Sequence, residues 1–301
     1  MVGRLVSPHV RRTALWSAAA LPAVFAAMAL FTAEAMRRPG WDPRGPDRSA
    51  DPARSRGWAF EHVAVTAPDG VVLRGWFVPH PDSAGRTVVL LHGLTGEKSC
   101  LLGRADLVRS AWSANVCLMD LRAHGESGGD EITYGPAEAA DLSAVIDALT
   151  ARPDVDPGRI AVLGTSLGGS TALLAASADP RIAAVVAEAP FADLSSAVAD
   201  RADRRGVPDS FTAAVRFFYE WRTGRSWDAV DLRPAVALLR CPVLLIHGDA
   251  DDQTTPRHSR ALFEACGSLR KRVWLVPGGR HTWLHTADPA GYRARLAELW
   301  P

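Results

Sequence analysis

The chain is 301 residues long, 48% hydrophobic and 22% charged, which is enough to bury a sizeable core in one large domain. Lys+Arg 34 against Asp+Glu 33 leave a formal charge of +1, and neither sign dominates a long block, so no nucleic-acid partner is expected and small-molecule chemistry is the default. Cys100, Cys117, Cys241 and Cys266 form no C-x-x-C pair and keep no zinc spacing to histidine, so no metal site is expected.

From the N-terminus, Arg4, Arg11 and Arg12 precede the uncharged stretch Ala14 to Ala33, and a bilayer span takes about 20 apolar residues. Residues 1–36 are read as a membrane anchor with the folded domain outside the cytoplasm. The rival readings are a secretory signal cleaved after Ala33-Glu34-Ala35 and a helix packed on the folded domain. Residues 37–57, rich in Arg, Pro, Asp and Gly, read as a flexible tether. The domain then runs over 58–301.

Glu61 to Thr66 and Val71 to Val78 are β-branched runs joined by the turn signal Ala67-Pro68-Asp69-Gly70, a hairpin pattern. Thr87 to Leu91 is an apolar strand ending in His92-Gly93-Leu94-Thr95-Gly96, a glycine turn whose backbone amides are free to act as donors. A phosphate-binding loop fails here, because Glu97 separates Gly96 from Lys98. No cofactor motif is found elsewhere. Val116 to Met119 is the next strand, Asp120 to Ser127 a turn in which His124 reads as structural, and Ala137 to Leu149 a helix. His92, without an acid near it in sequence, also reads as structural.

Ile160-Ala161-Val162-Leu163 is a short strand, Leu167 onward an Ala/Leu-rich helix, and Gly164-Thr165-Ser166-Leu167-Gly168 between them matches the G-x-S-x-G nucleophile elbow. A serine lifted above a sheet at a helix N-terminus suits acyl transfer, with the amides of Leu94 and Leu167 as oxyanion donors. Ile182 to Ala187 is a further strand. About 190–239 interrupts the alternation, and Phe211, Phe218, Tyr219, Trp221 and Trp227 suit a short helical cap. Pro242 to Ile246 leads into a loop with Asp249, Asp251 and Asp252, while Arg272 to Val276 leads into His281, and Pro289 to Trp300 closes the chain as a helix. Strand and helix alternate from residue 87, so a mostly parallel sheet flanked by helices is predicted, with the site at the strands' carboxyl ends. A serine hydroxyl needs an imidazole base, and the imidazole a carboxylate. The chain supplies Ser166, an acid and His281 in the α/β-hydrolase order.

These residues, together with Gly75-Trp76-Phe77-Val78-Pro79, His92-Gly93, Asp120-x-Arg122-x-His124-Gly125-x-Ser127 and Tyr134-Gly135, resemble the α/β-hydrolases over about 58–300, in particular the membrane-anchored BEM46-like and serine-aminopeptidase-like groups. The resemblance implies Asp251 as the acid, although the loop reads one residue longer before Pro256 than in many relatives. It also implies a serine hydrolase of esterase type acting on an ester, thioester or small amide, with a peptidase or a catalytically silent binding protein as alternatives.

Overall fold

The computed structural model describes residues 8–38 and 50–300, with side chains from residue 21 onward. Its strands are β1 (Glu61–Thr66), β2 (Val72–Val78), β3 (Thr87–Leu91), β4 (Asn115–Met119), β5 (Ile160–Thr165), β6 (Ile182–Glu188), β7 (Val243–Gly248) and β8 (Lys271–Val276). They form one sheet in the order β1-β2-β4-β3-β5-β6-β7-β8. β1 and β2 pair antiparallel, with Thr66 opposite Val72, β2 pairs antiparallel with β4, and every later pair is parallel. A parallel sheet covered on both faces makes its strands continuously apolar. Accordingly β3, β4, β5 and β7 are buried along their whole length, while β1 at the edge buries only Val65.

The helices, in chain order, are α1 (Pro8–Arg37), α2 (Pro52–Arg56), α3 (Leu102–Trp112), α4 (Pro136–Thr150), α5 (Leu167–Ala178), α6 (Leu194–Arg204), α7 (Asp209–Thr223), α8 (Arg233–Val236), α9 (Arg257–Ala265), α10 (Leu284–Ala287) and α11 (Pro289–Leu299). Because side chains alternate along a strand, β3 sends Val88 and Leu90 to a cluster with Trp112 of α3 and Leu296 of α11. Val89 and Leu91 go to the opposite cluster, with Leu142 of α4 and Leu173 of α5. Each such fully buried aliphatic side chain contributes about 1.5–3 kcal/mol. Trp112 also donates from Nε1 to the Leu296 carbonyl at 2.7 Å, which pins α3 to α11.

The chain leaves β3 for β4 on one side and returns to β5 on the other. That reversal opens a crevice at the strands' carboxyl ends, where open α/β sheets bind ligands. The turn after β3 and the elbow after β5 both border it. The expected insertion at 190–239 provides α6, α7 and the 3-10 turn Trp227–Ala229, but α8 packs on α5 and α9, so the cap proper is shorter than the sequence suggests.

The N-terminal expectation changes most. Among the described residues no helix is long and apolar enough to cross a membrane. The C-terminal half of α1 instead packs along α7, burying Ala29 and Ala33 and setting Phe25 edge-on to Phe211 at 5.5 Å between ring centroids. Its end is tied by Glu34 to Arg222, by Arg37 to Glu131, and by Tyr134 Oη donating to the Met36 carbonyl at 2.7 Å. A helix face buried in protein is not free to face lipid, which is why this half does not stand alone. Of the predicted tether, residues 39–49 lie outside the described part. Its end forms α2, with Asp51 accepting from the Arg54 amide at 2.8 Å.

Candidate active site

The elbow depends on close backbone approach. A Cβ at Gly164 would sit 2.1 Å from the Gly168 carbonyl oxygen, and one at Gly168 2.6 Å from the Leu91 carbonyl oxygen, so both positions require glycine. Ser166 lies between them at φ 53 and ψ −116, a strained conformation for a residue with a side chain. Its amide donates to the Glu188 carbonyl at 2.7 Å and its carbonyl accepts from the Ser170 amide at 2.9 Å, which holds the strain.

The structure brings Ser166, Asp251 and His281 into one line. His281 Nε2 lies 2.9 Å from Ser166 Oγ, and His281 Nδ1 lies 2.7 Å from Asp251 Oδ2. All three are buried. The other oxygen of Asp251 accepts from the Gln253 and Thr254 amides at 2.9 and 3.0 Å. A second imidazole, His247, places Nε2 3.1 Å from Asp251 Oδ2 and 2.7 Å from the Thr254 carbonyl, and Nδ1 2.7 Å from Ser259 Oγ. A carbonyl only accepts, so His247 carries its proton on Nε2. Burial pushes the Asp251 carboxyl up, but the hydrogen bonds from His247 and His281 and the His281 charge outweigh it and hold the group well below the usual carboxylate range. The neighbouring acids stand elsewhere. Asp249 is exposed and accepts from the Gly278 amide at 2.7 Å, and Asp252 points to solvent.

Leu94 and Leu167 line the same cavity as Ser166. Among the described residues neither amide donates a hydrogen bond within the protein. The cavity holds about 320 Å³, and its walls include Phe191, Val198, Phe211, Val215 and Trp227, with Thr32, Ala35 and Met36 contributed by α1. Some cap aromatics thus face the cavity, while Tyr219 is buried against Tyr134 and Trp227, and Trp221 is exposed.

His92 and His124 stand outside this line and hold turns. His92 Nδ1 donates to the Gly93 carbonyl at 2.8 Å while Nε2 accepts from the Leu121 amide at 3.0 Å, joining the ends of β3 and β4. Burial, then the charge of His124, depresses its pKa to well below 6.5, so it stays neutral. His124 Nδ1 donates to the Arg122 carbonyl at 2.8 Å.

Sequence reasoning missed the layer behind the serine. Glu188, fully buried at the end of β6, takes Arg104 of α3 at 2.7 Å, Thr165 Oγ1 at 3.1 Å and the Tyr292 hydroxyl. Arg104 also donates to the Thr282 carbonyl at 2.7 Å, so one ion pair ties the elbow strand to the loop carrying His281. Burial pushes the Glu188 carboxyl up, yet Arg104's charge and hydrogen bond bring the balance below the ordinary value. The available signal was a glutamate closing the otherwise apolar run Ile182 to Ala187. Removing one partner of a buried pair leaves an uncompensated charge, so Arg104→Leu is expected to lower unfolding stability by about 3–5 kcal/mol. Urea denaturation checks this, and a loss under about 1 kcal/mol would show that water or a neighbour replaces the guanidinium.

Residues 88–295 match the Alpha/beta hydrolase family. The chain belongs to that family. An uncharacterized protein of Mycobacterium tuberculosis, Rv2307c, is 32% identical to this hydrolase over 230 residues, covering 74% of this chain and 73% of that one. The α/β-hydrolase-domain protein WAV2 of Arabidopsis thaliana is 26% identical over 246 residues, covering 75% and 74%. Among solved structures, the esterase Pf2001 of Pyrococcus furiosus superposes with a TM-score of 0.70 at 24% identity, covering 86% of this hydrolase and 98% of the esterase. Est1E of Butyrivibrio proteoclasticus, solved with ferulic acid bound, superposes at 0.60 and 18% identity, covering 78% and 96%. Likeness at that identity speaks for the fold.

Proposed function

We propose that this chain is a serine hydrolase of carboxylesterase type that cleaves an ester, thioester or small amide through an acyl-enzyme on Ser166. The observation that carries the reading is His281, whose two ring nitrogens reach Ser166 Oγ at 2.9 Å and Asp251 Oδ2 at 2.7 Å. In the first half-reaction the Ser166 proton passes to His281 Nε2 as Oγ bonds to the acyl carbon. The carbonyl oxygen takes the negative charge and meets the amides of Leu94 and Leu167. The tetrahedral adduct then collapses, the carbon–leaving-group bond breaks, and the leaving group takes the proton from His281. Water repeats the sequence on the acyl-enzyme, with His281 as base and then acid. Asp251 keeps the imidazole proton on Nδ1 and stabilises the imidazolium.

The free amides and apolar walls support ester hydrolysis over binding alone, and esterases such as Pf2001 share the fold. A fluorophosphonate probe tests the reading: peptide mass spectrometry is expected to find the label on Ser166, with turnover of simple acyl esters. No label under conditions that label a control esterase would overturn it.

The membrane reading takes an interfacial form. Leu21, Val24, Met28 and Phe31 of α1 and Phe217 and Trp221 of α7 expose apolar surface, and the uncharged run Ala14 to Ala20 precedes them in the same helix. A row of this kind beside the cavity suits a helix lying in a lipid surface. The 301-residue chain is expected to float with liposomes on a density gradient, and Leu21→Glu with Phe31→Glu to stay in the soluble fractions. Flotation unchanged by the two glutamates would sink this placement.

A further inference from the structure

The cavity wall from α6 carries both apolar and cationic side chains. Leu194, Ala197, Val198, Arg201, Ala202 and Arg205 all line the cavity, and the three-and-four spacing marks one face of the helix. Arg201 is half-buried there, and Nε is buried without a hydrogen-bond partner. Among the described residues neither its guanidinium nor that of Arg205 takes part in an ion pair or a side-chain hydrogen bond. Arg37, Arg104, Arg122 and Arg225, which are also withdrawn from solvent, each hold a carboxylate at 2.6–2.9 Å. A guanidinium drawn into an apolar wall without an acid loses hydration that nothing in the protein replaces. Burial lowers the Arg201 pKa, Tyr134 and the Asp251 carboxylate oppose the shift and the charge of Arg205 adds to it, yet arginine stays protonated at any working pH. The cavity therefore contains a guanidinium in contact with no carboxylate, on which the Asp251 charge acts only from a distance, with a second arginine at its rim.

We infer that Arg201, supported by Arg205, is a specificity-determining residue that receives an anionic group on the acyl part of the substrate, so that this hydrolase acts on esters of acids with a second, carboxylate or phosphate, terminus. Both anions accept from the guanidinium fork in the same paired geometry. The inference rests on the acyl-transfer reading of Ser166 and adds the substrate class. Leu194, Ala197 and Val198 of the same wall are apolar and suit the methylenes that would separate the two ends.

The test compares p-nitrophenyl esters of six-carbon acyl chains ending in methyl, carboxylate or phosphate. A charge-assisted contact made in the bound state is expected to raise kcat/KM for a charged ester about tenfold or more over the neutral one. The advantage should shrink as salt rises, and whichever charged ester leads identifies the anion. Arg201→Met is expected to collapse the charged-to-neutral ratio, mainly through KM, and Arg201→Lys to restore part of it. A merely structural role would instead lower turnover of all three esters together. A neutral ester preferred by the unmodified enzyme, or a ratio that survives Arg201→Met, overturns the inference while leaving the esterase reading intact. If no ester is hydrolysed, the esterase reading fails by itself. Thermal-shift binding of monomethyl adipate against dimethyl adipate then decides: stabilisation by the monoester alone, lost in Arg201→Met, supports the anion site, and equal responses remove it.

Discussion

Ser166→Ala is expected to abolish fluorophosphonate labelling and to lower kcat for ester hydrolysis by about 10⁶-fold, because residues acting as one proton-relay unit lose nearly everything when one is removed. The fold should survive the change. Alanine keeps the Cβ that φ 53 already accommodates, and the backbone bonds to Glu188 and from Ser170 are untouched. Circular dichroism and the urea midpoint should match the unmodified chain, so the loss can be assigned to the hydroxyl. Residual hydrolysis above the uncatalysed rate would come from the cavity and the free amides of Leu94 and Leu167. Retained labelling at wild-type rate would mean that another nucleophile reacts and that the elbow serine is a bystander.

Asp251→Asn should cost about 10⁴-fold in kcat, through the wrong imidazole tautomer. One oxygen of Asp251 accepts two amides, from Gln253 and Thr254, and the other faces His281 Nδ1 and His247 Nε2. In asparagine the carbonyl oxygen must take the amide side, since an NH₂ group cannot accept. The NH₂ then faces His281 Nδ1, which has to become an acceptor and move its proton to Nε2, where it can no longer receive the proton of Ser166. Asp252→Asn changes an exposed side chain, and Asp249→Asn keeps an oxygen for the Gly278 amide. Both are expected to stay within a few-fold of the unmodified rate. Steady-state kinetics on the three variants, at matched folded content, checks the ordering. A crippled Asp252→Asn beside an active Asp251→Asn would refute the assignment.

Local signals carried much of the fold because each has a local cause. The runs Glu61 to Thr66 and Thr87 to Leu91 are strands with those bounds, since a β-branched or apolar run between turn residues has few alternatives. Gly164 and Gly168 were legible because a tight strand-to-helix turn admits no Cβ at either. The stretch Ala14 to Ala33 was more ambiguous. An uncharged helix loses the same unfavourable contact with water whether lipid or protein covers it, so composition could not show that Ala29 and Ala33 would lie against α7. Arg104 and Arg201 were invisible for a related reason: an arginine in a helix reads as a solvated charge until its surroundings are known.

By itself, then, the sequence determined the parallel sheet with its flanking helices, the serine at the elbow and the chain order of serine, acid and histidine. Each of these follows from periodicity or from the steric demands of neighbouring residues. Tertiary structure brings Asp251, the acid the family resemblance implied, to His281 ahead of Asp249 and Asp252, and it alone decided that Glu188 and Arg104 brace the elbow from behind and that α1 closes one side of the cavity. These depend on side-chain direction after a loop and on contacts across long separations, such as His281 with Ser166, 115 residues apart. No local pattern encodes such contacts, because they exist only once the sheet has brought its carboxyl ends together.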